Sequence, residues 1–388
     1  MTDDFKDVII IGAGPAGCAA GITLARSGLS VSVIDQATFP RLKTCGDCIT
    51  NRGADLIDEL TRSQGSVRRL PHAVVRANAA IFPDGCRISR DFGSAPGYIV
   101  PRYYLDDSLR KALEASGAQL QQGIRVKKII RNAQGIFCGV EADRDRWSAK
   151  AVIAADGAGS IAWRTLNISP RQSHRMALAI TCYYKNMDFD DVTGVCEHYF
   201  EEDLPGGYFW IFPAVNGLSN VGVYQNVACY KQAGIPIRDL LNRYIKRHNE
   251  RFKKAQEASK PVCWPLPHAV KPFIESQPGL LVCGDAGCFI DPFTGEGIWQ
   301  ALHSGKLAGS IVAKALQDNK AGALDIRWIK SYQDACKRDI GRPSALRLVL
   351  QKMMRVVMGY RLYRLSAVRK ALQWGYGKEF LELSKTLN

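Results

Sequence analysis

The stretch that decides the architecture is "DVIIIGAGPAG", residues 7–17. Asp7-Val8-Ile9-Ile10-Ile11 is short, continuous and β-branched, the pattern of a strand buried on both faces. Gly12-Ala13-Gly14-Pro15-Ala16-Gly17 follows at once, and residues 15–27 are helix-compatible. Val31-Ser32-Val33-Ile34-Asp35 then reads as a second strand ending in an acid. In that setting the three glycines make a dinucleotide-binding turn. Gly12 permits the tight bend, Gly14 lets a pyrophosphate approach the backbone, and Gly17 lets helix and strand pack closely. The helix N-terminus supplies free N–H groups and partial positive charge. Asp35 lies eighteen residues beyond Gly17, placed to accept hydrogen bonds from a ribose diol and to repel a 2′-phosphate. The turn is therefore expected to hold FAD or NAD rather than NADP.

The bulk composition fits a soluble globular protein. Its 388 residues suit one or two interlocked domains, and 46% apolar with 23% charged residues is an ordinary globular balance. The uncharged run 8–25 is long enough to suggest a membrane span, but Gly12, Gly14, Pro15, Gly17 and Gly21 interrupt it. With no signal-peptide pattern at the start, a cytoplasmic location is expected. Twelve scattered cysteines are then expected to be reduced thiols. The net charge of +15 suggests an anionic partner.

Two later segments extend the nucleotide reading. Residues 150–160, "KAVIAADGAGS", read as a strand ending in Asp156-Gly157. Residues 280–298 read as another strand, running through Gly284-Asp285 into a glycine-rich turn and a helix over about 297–316. An acid at a strand end suits ribose or ribityl hydroxyls. The turn Pro292-Phe293-Thr294-Gly295-Glu296-Gly297 would aim helix N–H groups at negative charge on a reduced flavin ring.

The order GxGxxG, central Asp-Gly, late Gly-Asp resembles flavoprotein hydroxylases of the para-hydroxybenzoate hydroxylase type. The geranylgeranyl reductase-like flavoproteins are more similar still, through "FPRLKTCGDCIT" (39–50), "PGGYFWIFPAVNGLSNVGV" (205–223) and "GDAGCFIDPFTGEGIWQALHSG" (284–305). The resemblance covers roughly 5–316 and implies a Rossmann-type FAD domain with an inserted antiparallel substrate sheet. It implies FAD contacts at Gly12, Gly14, Ala16, Gly17, Asp35, Arg41, Cys45, Arg102, Asp156, Gly157, Asp285, Pro292, Gly295, Gly297 and Ile298. Arg102, at the start of an apparent helix, would pair with the FAD phosphates. Catalytic roles are implied for Cys45, on a loop reaching the isoalloxazine, for Tyr208 and Trp210 in the substrate wall, and for Gly295 and Gly297 in the flavin turn. Cys48 matches no fixed family position. A flavin-facing Cys45, plain packing, a redox disulfide and half of a metal site all remain readings of the Cys45–Cys48 spacing. Zinc would lack a second ligand pair, so no metal site is expected.

Residues 175–226 alternate as antiparallel strands do, and segments near 76–90 are expected to add edge strands. In Tyr208-Phe209-Trp210, alternation puts Tyr208 and Trp210 on one face and Phe209 on the other. An apolar small molecule or a lipid is the expected substrate. No second GxGxxG follows a strand, so NAD(P)H would bind transiently, or a ferredoxin or reductase would deliver electrons. His72, His198 and His268 read as surface or core groups.

Residues 337–370 carry ten basic residues against Asp339 alone. Leu346, Val349, Leu350, Met353, Val357 and Tyr360 fall at helical spacing on one face. A basic amphipathic helix of this kind either docks on the body of the protein or lies on an anionic membrane surface. Nucleic acid is not expected, since no reading motif accompanies the charge. The expected organisation is an FAD domain over 1–172, with 72–97 lending strands to a substrate domain at 173–266. The FAD domain resumes over 267–322, and a helical region fills 323–388. The expected activity is reduction of carbon–carbon double bonds in an isoprenoid lipid or quinone side chain. The rival is an oxygen-dependent monooxygenase on the same scaffold. A halogenase fits less well: the first Trp of its GWxWxIP stretch is Tyr208 here, and no Lys lies between Lys43 and Lys111. A non-catalytic flavin-binding protein would leave the Cys45 loop without a role.

Overall fold

In a computed structural model of the protein, the described residues are 5–143, 145–168, 176–188, 194–268, 276–318 and 324–377. Two expected boundaries, 172–173 and 322–323, fall outside them. The strands Gln119–Gln122, Val31–Asp35, Lys6–Ile11, Arg146–Ala154 and Leu280–Val282 lie parallel in that order. Alternate side chains of the first strand serve two cores. Val8 and Ile10 face a cluster shared with the helices Pro15–Arg26, Arg102–Ala115 and Ile298–Asp318, whereas Ile9 and Ile11 face a cluster with Phe137, Val140 and Trp147. Burial on both faces explains why the run is apolar without alternation. The uncharged run 8–25 is thus a strand and a helix, and no helix among the described residues is long and apolar enough to cross a membrane.

The second sheet is built on Met176–Lys185, Leu218–Asn226, Gly207–Pro213 and Val195–Tyr199, antiparallel neighbours in that order. Ala77–Ile81 joins parallel to Val195–Tyr199, and Arg87–Asp91 forms the edge beyond it. Val262–Pro267 pairs with the other side of Met176–Lys185. The alternation expected in the aromatic strand is present. Phe209 packs beneath the helix Ile237–Arg247, while Tyr208, Trp210 and Phe212 face the opposite way.

The helices Ile326–Cys336, Arg342–Gly359 and Ser366–Gly377 complete the chain. They correct the expectation of a single apolar stripe. Leu346, Val349, Met353 and Tyr360 are exposed, joined by Val356, but Val357 packs into the aromatic core and Leu350 lines a cavity described below. The reason is that the helix buries a different face, with Met354, Val357 and Met358, against the substrate sheet and leaves the row of Leu346, Val349 and Met353 toward solvent. Much of the basic charge is also held in ion pairs: Arg347 with Asp291, Arg361 and Arg364 with Glu202, and Arg369 with Asp84.

Candidate active site

The glycine-rich turn behaves as its residue types require. Gly12 has φ +95°, and a Cβ there would stand 2.6 Å from the Ala155 carbonyl oxygen. A Cβ on Gly17 would lie 1.8 Å from the Gly12 oxygen, so helix and strand touch backbone to backbone. Gly14 is different. It caps the helix with no side-chain hydrogen bond, and the nearest group to an added Cβ is Arg41 Nη2 at 3.9 Å. An uncapped helix N-terminus, open space and a guanidinium together fit a diphosphate. The Asp35 carboxylate accepts the N–H groups of Ala13 (2.6 Å) and Ala37 (2.7 Å), which fixes it beside the turn.

From this turn a cavity of about 900 Å³ runs between the two sheets. Its lining brings together Gly12, Gly14, Ala16, Asp35, Arg41, Cys45, Arg102, Asp156, Gly157, Asp285, Gly295, Gly297 and Ile298 with Tyr208 and Trp210. Of the expected site residues only Gly17 and Pro292 lie outside it. Gly17 lies behind the wall, and the Pro292 carbonyl accepts from Tyr224 Oη (2.7 Å) and from Gln351. The late motifs converge in space: a Cβ on Gly297 would stand 3.6 Å from Asp285 Oδ1. Asp291 shapes the turn between them, its Oδ1 accepting the N–H groups of Phe293 (2.9 Å) and Thr294 (2.8 Å), with Arg347 on its other oxygen. Tyr208 Oη donates to the Thr294 carbonyl, tying the aromatic strand to the same turn. Asp156 accepts from Ser160 Oγ and the Ile161 N–H, holding the Asp-Gly corner.

Arg102 is more committed than its position in the sequence suggests. Its Nε and Nη2 donate to both oxygens of Asp106, one turn along its own helix, at 2.6 and 2.8 Å. Arg41 Nη1 stands 3.0 Å from the same carboxylate. Asp106, which the sequence reading passed over, thus orients two guanidinium groups at the cavity wall.

The opening of the cavity toward the second sheet is aromatic and apolar, with Tyr208, Trp210, Phe212, Phe200, Trp264 and Leu266 in its lining. Trp210 lies across Gly222, where a Cβ would be 2.3 Å from the indole, and its Nε1 donates to Asn220 Oδ1 at 2.9 Å. Lys43 Nζ sits 3.6 Å over the Trp264 ring, and burial pushes its pKa down to about 8.

The two cysteines of the 45–48 spacing have separate neighbours. The Cys45 thiol contacts the Arg102 guanidinium, and burial pushes its pKa up. The Cys48 thiol instead lies beside Cys196, on the strand Val195–Tyr199. All twelve cysteines are free, and among the described residues no group of three or more His, Cys, Asp or Glu side chains could hold a metal.

Several cavity-lining positions were read from the sequence in other roles or passed over. His198 lines the cavity, where burial lowers its pKa to about 4. Arg347 and Leu350 reach the cavity from the C-terminal helix. Asp47 was quoted only within the stretch "FPRLKTCGDCIT", yet it is a buried carboxyl bonded to Tyr183 and Asn220. The acid inside that stretch and the lone amide in the apolar run "LSNVGV" were the available signals.

Residues 6–338 match the FAD binding domain family model. The menaquinone reductase of Mycobacterium tuberculosis H37Rv is 32% identical over 80% of this chain and 77% of its own length. The digeranylgeranylglycerophospholipid reductase 2 of Methanothermobacter thermautotrophicus is 29% identical over 98% and 94%. Among solved structures, a geranylgeranyl bacteriochlorophyll reductase-like protein from Thermoplasma acidophilum superposes with TM-score 0.79 at 22% identity, over 99% of this chain and 98% of that one. The flavin-dependent brominase Bmp2 shares the fold at TM-score 0.74 and 19% identity, over 96% and 93%. The chain belongs to the FAD binding domain family, among the FAD-dependent oxidoreductases of geranylgeranyl reductase type.

Proposed function

We propose that this protein reduces carbon–carbon double bonds in the isoprenoid chain of a quinone or lipid. The observation that carries this reading is the single cavity joining the Gly14 diphosphate turn to the aromatic wall of Tyr208, Trp210 and Phe212, roofed by the Cys45 loop. The names of the curated relatives support the substrate class. Bound FAD supplies hydride transfer. The chain's own part is to hold the diphosphate at Gly14 and Arg41, keep the reacting carbon in an apolar, water-poor space, and orient it against the flavin turn. No second nucleotide turn of this kind occurs among the described strands, so electrons arrive from NAD(P)H bound transiently or from a ferredoxin or reductase. The test is anaerobic turnover with chemically reduced enzyme and a prenylated quinone. A product whose isoprenoid chain has gained two hydrogens and no oxygen, read after the ring is reoxidised to the quinone, supports the reading, and a product formed only with oxygen and carrying an oxygen atom moves the protein to the monooxygenases.

The exposed row Leu346, Val349, Met353 and Val356, beside Lys352 and Arg355, favours peripheral contact with an anionic membrane. The same helix sends Leu350 into the cavity, so a docked helix would set the cavity beside the lipid. Salt-sensitive sedimentation with phosphatidylglycerol vesicles, lost in the Lys352→Glu/Arg355→Glu variant, is the expected result. Equal binding to neutral vesicles would remove the electrostatic argument.

A further inference from the structure

Alkene reduction needs a proton as well as a hydride, and the reading above leaves its source open. The cavity contains a built candidate. Asp47 lines it although its residue is only 1% exposed, and its backbone sits at φ +60°. A non-glycine residue held in that region costs on the order of 1 kcal/mol and persists where its surroundings over-determine it. Here they do: the Val100 N–H donates to the Asp47 carbonyl at 2.9 Å, and Asn220 Nδ2 donates to Cys45 O at 2.9 Å and to Asp47 Oδ2 at 3.3 Å. Asn220 is itself fixed by Thr181 Oγ1 (2.7 Å) and the Trp210 indole.

On Asp47 Oδ2 also sits the Tyr183 hydroxyl. Tyr183 does not line the cavity and is half-buried on the strand Met176–Lys185. Tyr183 lies on the same face of that strand as Ala179 and Thr181, so the pair runs along the inner face of the sheet from the cavity wall to a side chain that solvent still reaches. We propose that Asp47 is the proton donor to the alkene and that Tyr183 relays its replacement from solvent. This rests on the alkene-reductase reading. The alkene π pair forms a C–H bond with the Asp47 proton, the other carbon takes hydride from the reduced flavin, and Asp47 is left as carboxylate. A solvent proton then restores it through Tyr183. Trp210, Tyr208 and Phe212 line the same space, and their π faces favour the positive charge that develops on the alkene.

The groups facing Asp47 agree with this role. Burial pushes its pKa up to about 7, while Tyr183, the Arg102 guanidinium, Asn220 and the Arg102 N–H act in the other direction. Cys45 is a further titratable neighbour, and burial pushes its pKa up. Cys45 lacks an equivalent relay, because its polar contacts are Arg102 and the Asp47 backbone N–H, groups that do not release protons.

The test combines spectroscopy with rapid kinetics. Wild-type enzyme should show a protonated-carboxyl infrared band that fades as pH rises through about 7 and is missing in Asp47→Asn; this needs no turnover. Single-turnover saturation of the side chain of a prenylated quinol, whose ring is already reduced, should slow about 100-fold or more in Asp47→Asn, with substrate affinity kept, and should lose its dependence on a group near pH 7. Tyr183→Phe, which keeps the acid in place, should show a burst of one turnover followed by a slowed steady state. If wild type reduces no alkene, the functional reading fails, and the infrared titration still decides whether this carboxyl is a proton site. If wild type reduces the alkene and Asp47→Asn matches it with the same pH profile, or if no titrating carboxyl band is seen, the assignment is overturned. Should Asp47→Asn fail to fold, an absent burst in Tyr183→Phe overturns the relay.

Discussion

Gly14 and Gly17 stand three residues apart in one motif, yet the structure separates their duties. At Gly14 the backbone has φ −71°, which any residue adopts, and the nearest atom to a new Cβ is 3.9 Å away. Gly14→Val should therefore leave the stability of the flavin-free protein within about 0.5 kcal/mol of wild type. Its side chain would instead fill the space where the diphosphate meets the helix N-terminus. Loss of one charge-assisted hydrogen bond there costs about 1.5–3 kcal/mol, which weakens FAD binding about 10- to 150-fold. Gly17→Ala acts on the fold itself. Its Cβ would stand 1.8 Å from the Gly12 oxygen, a backbone atom that yields only if helix and strand part, at a cost of about 1–3 kcal/mol or more. Thermal unfolding with and without FAD separates the two. At FAD of about 100 times the wild-type Kd, binding stabilises wild type by about 2.7 kcal/mol; a 100-fold weaker variant retains about 0.4 kcal/mol. Gly14→Val should keep the apo Tm and lose the FAD-induced shift, whereas Gly17→Ala should lower the apo Tm. Equal apo Tm losses in both variants, or a full FAD shift in Gly14→Val, would refute the reasoning.

Cys45→Ser should retain flavin absorbance and lose turnover, while Cys48→Ser, whose thiol faces Cys196, should change turnover little; equal loss in both returns the pair to redox cycling. Arg347→Met strips the cation from Asp291, which is 0% exposed but keeps two backbone N–H donors, so urea denaturation should show a loss of about 2–3 kcal/mol. Asp291→Asn in the same background should recover part of it, and full additivity of the two changes would deny the coupling. His268 is buried against Tyr224, and burial lowers its pKa to about 4 from an ordinary 6.5. The unfolded chain then binds more protons between those values, so stability should fall as pH drops from 6.5 toward 4. In His268→Gln that slope should flatten, and an unchanged slope would assign the acid sensitivity elsewhere.

Local geometry leaves local marks, and those marks were readable without coordinates. The run 7–17 announces a buried strand, a positive-φ turn and a close-packed helix start, because each demands particular residue types within a few positions. Alternation assigned Tyr208 and Trp210 to one face, since a strand has a period of two. The resemblance to flavoproteins added the Cys45 loop and the Gly295–Gly297 turn, and the cavity unites them with the nucleotide turn. What stayed hidden depends on sheet register and chain crossings, which no short pattern encodes. Cys48 meets Cys196, and Asp47 meets Tyr183 and Asn220, across separations of well over a hundred residues. Arg102 turns to Asp106, and Leu350 turns inward while Val349 beside it faces solvent. Sequence alone determined that a dinucleotide would sit on the first strand and helix. Only the tertiary structure decided which acids, thiols and aromatic rings would stand around it, because the meeting of the first sheet's strand ends with the second sheet sets those distances.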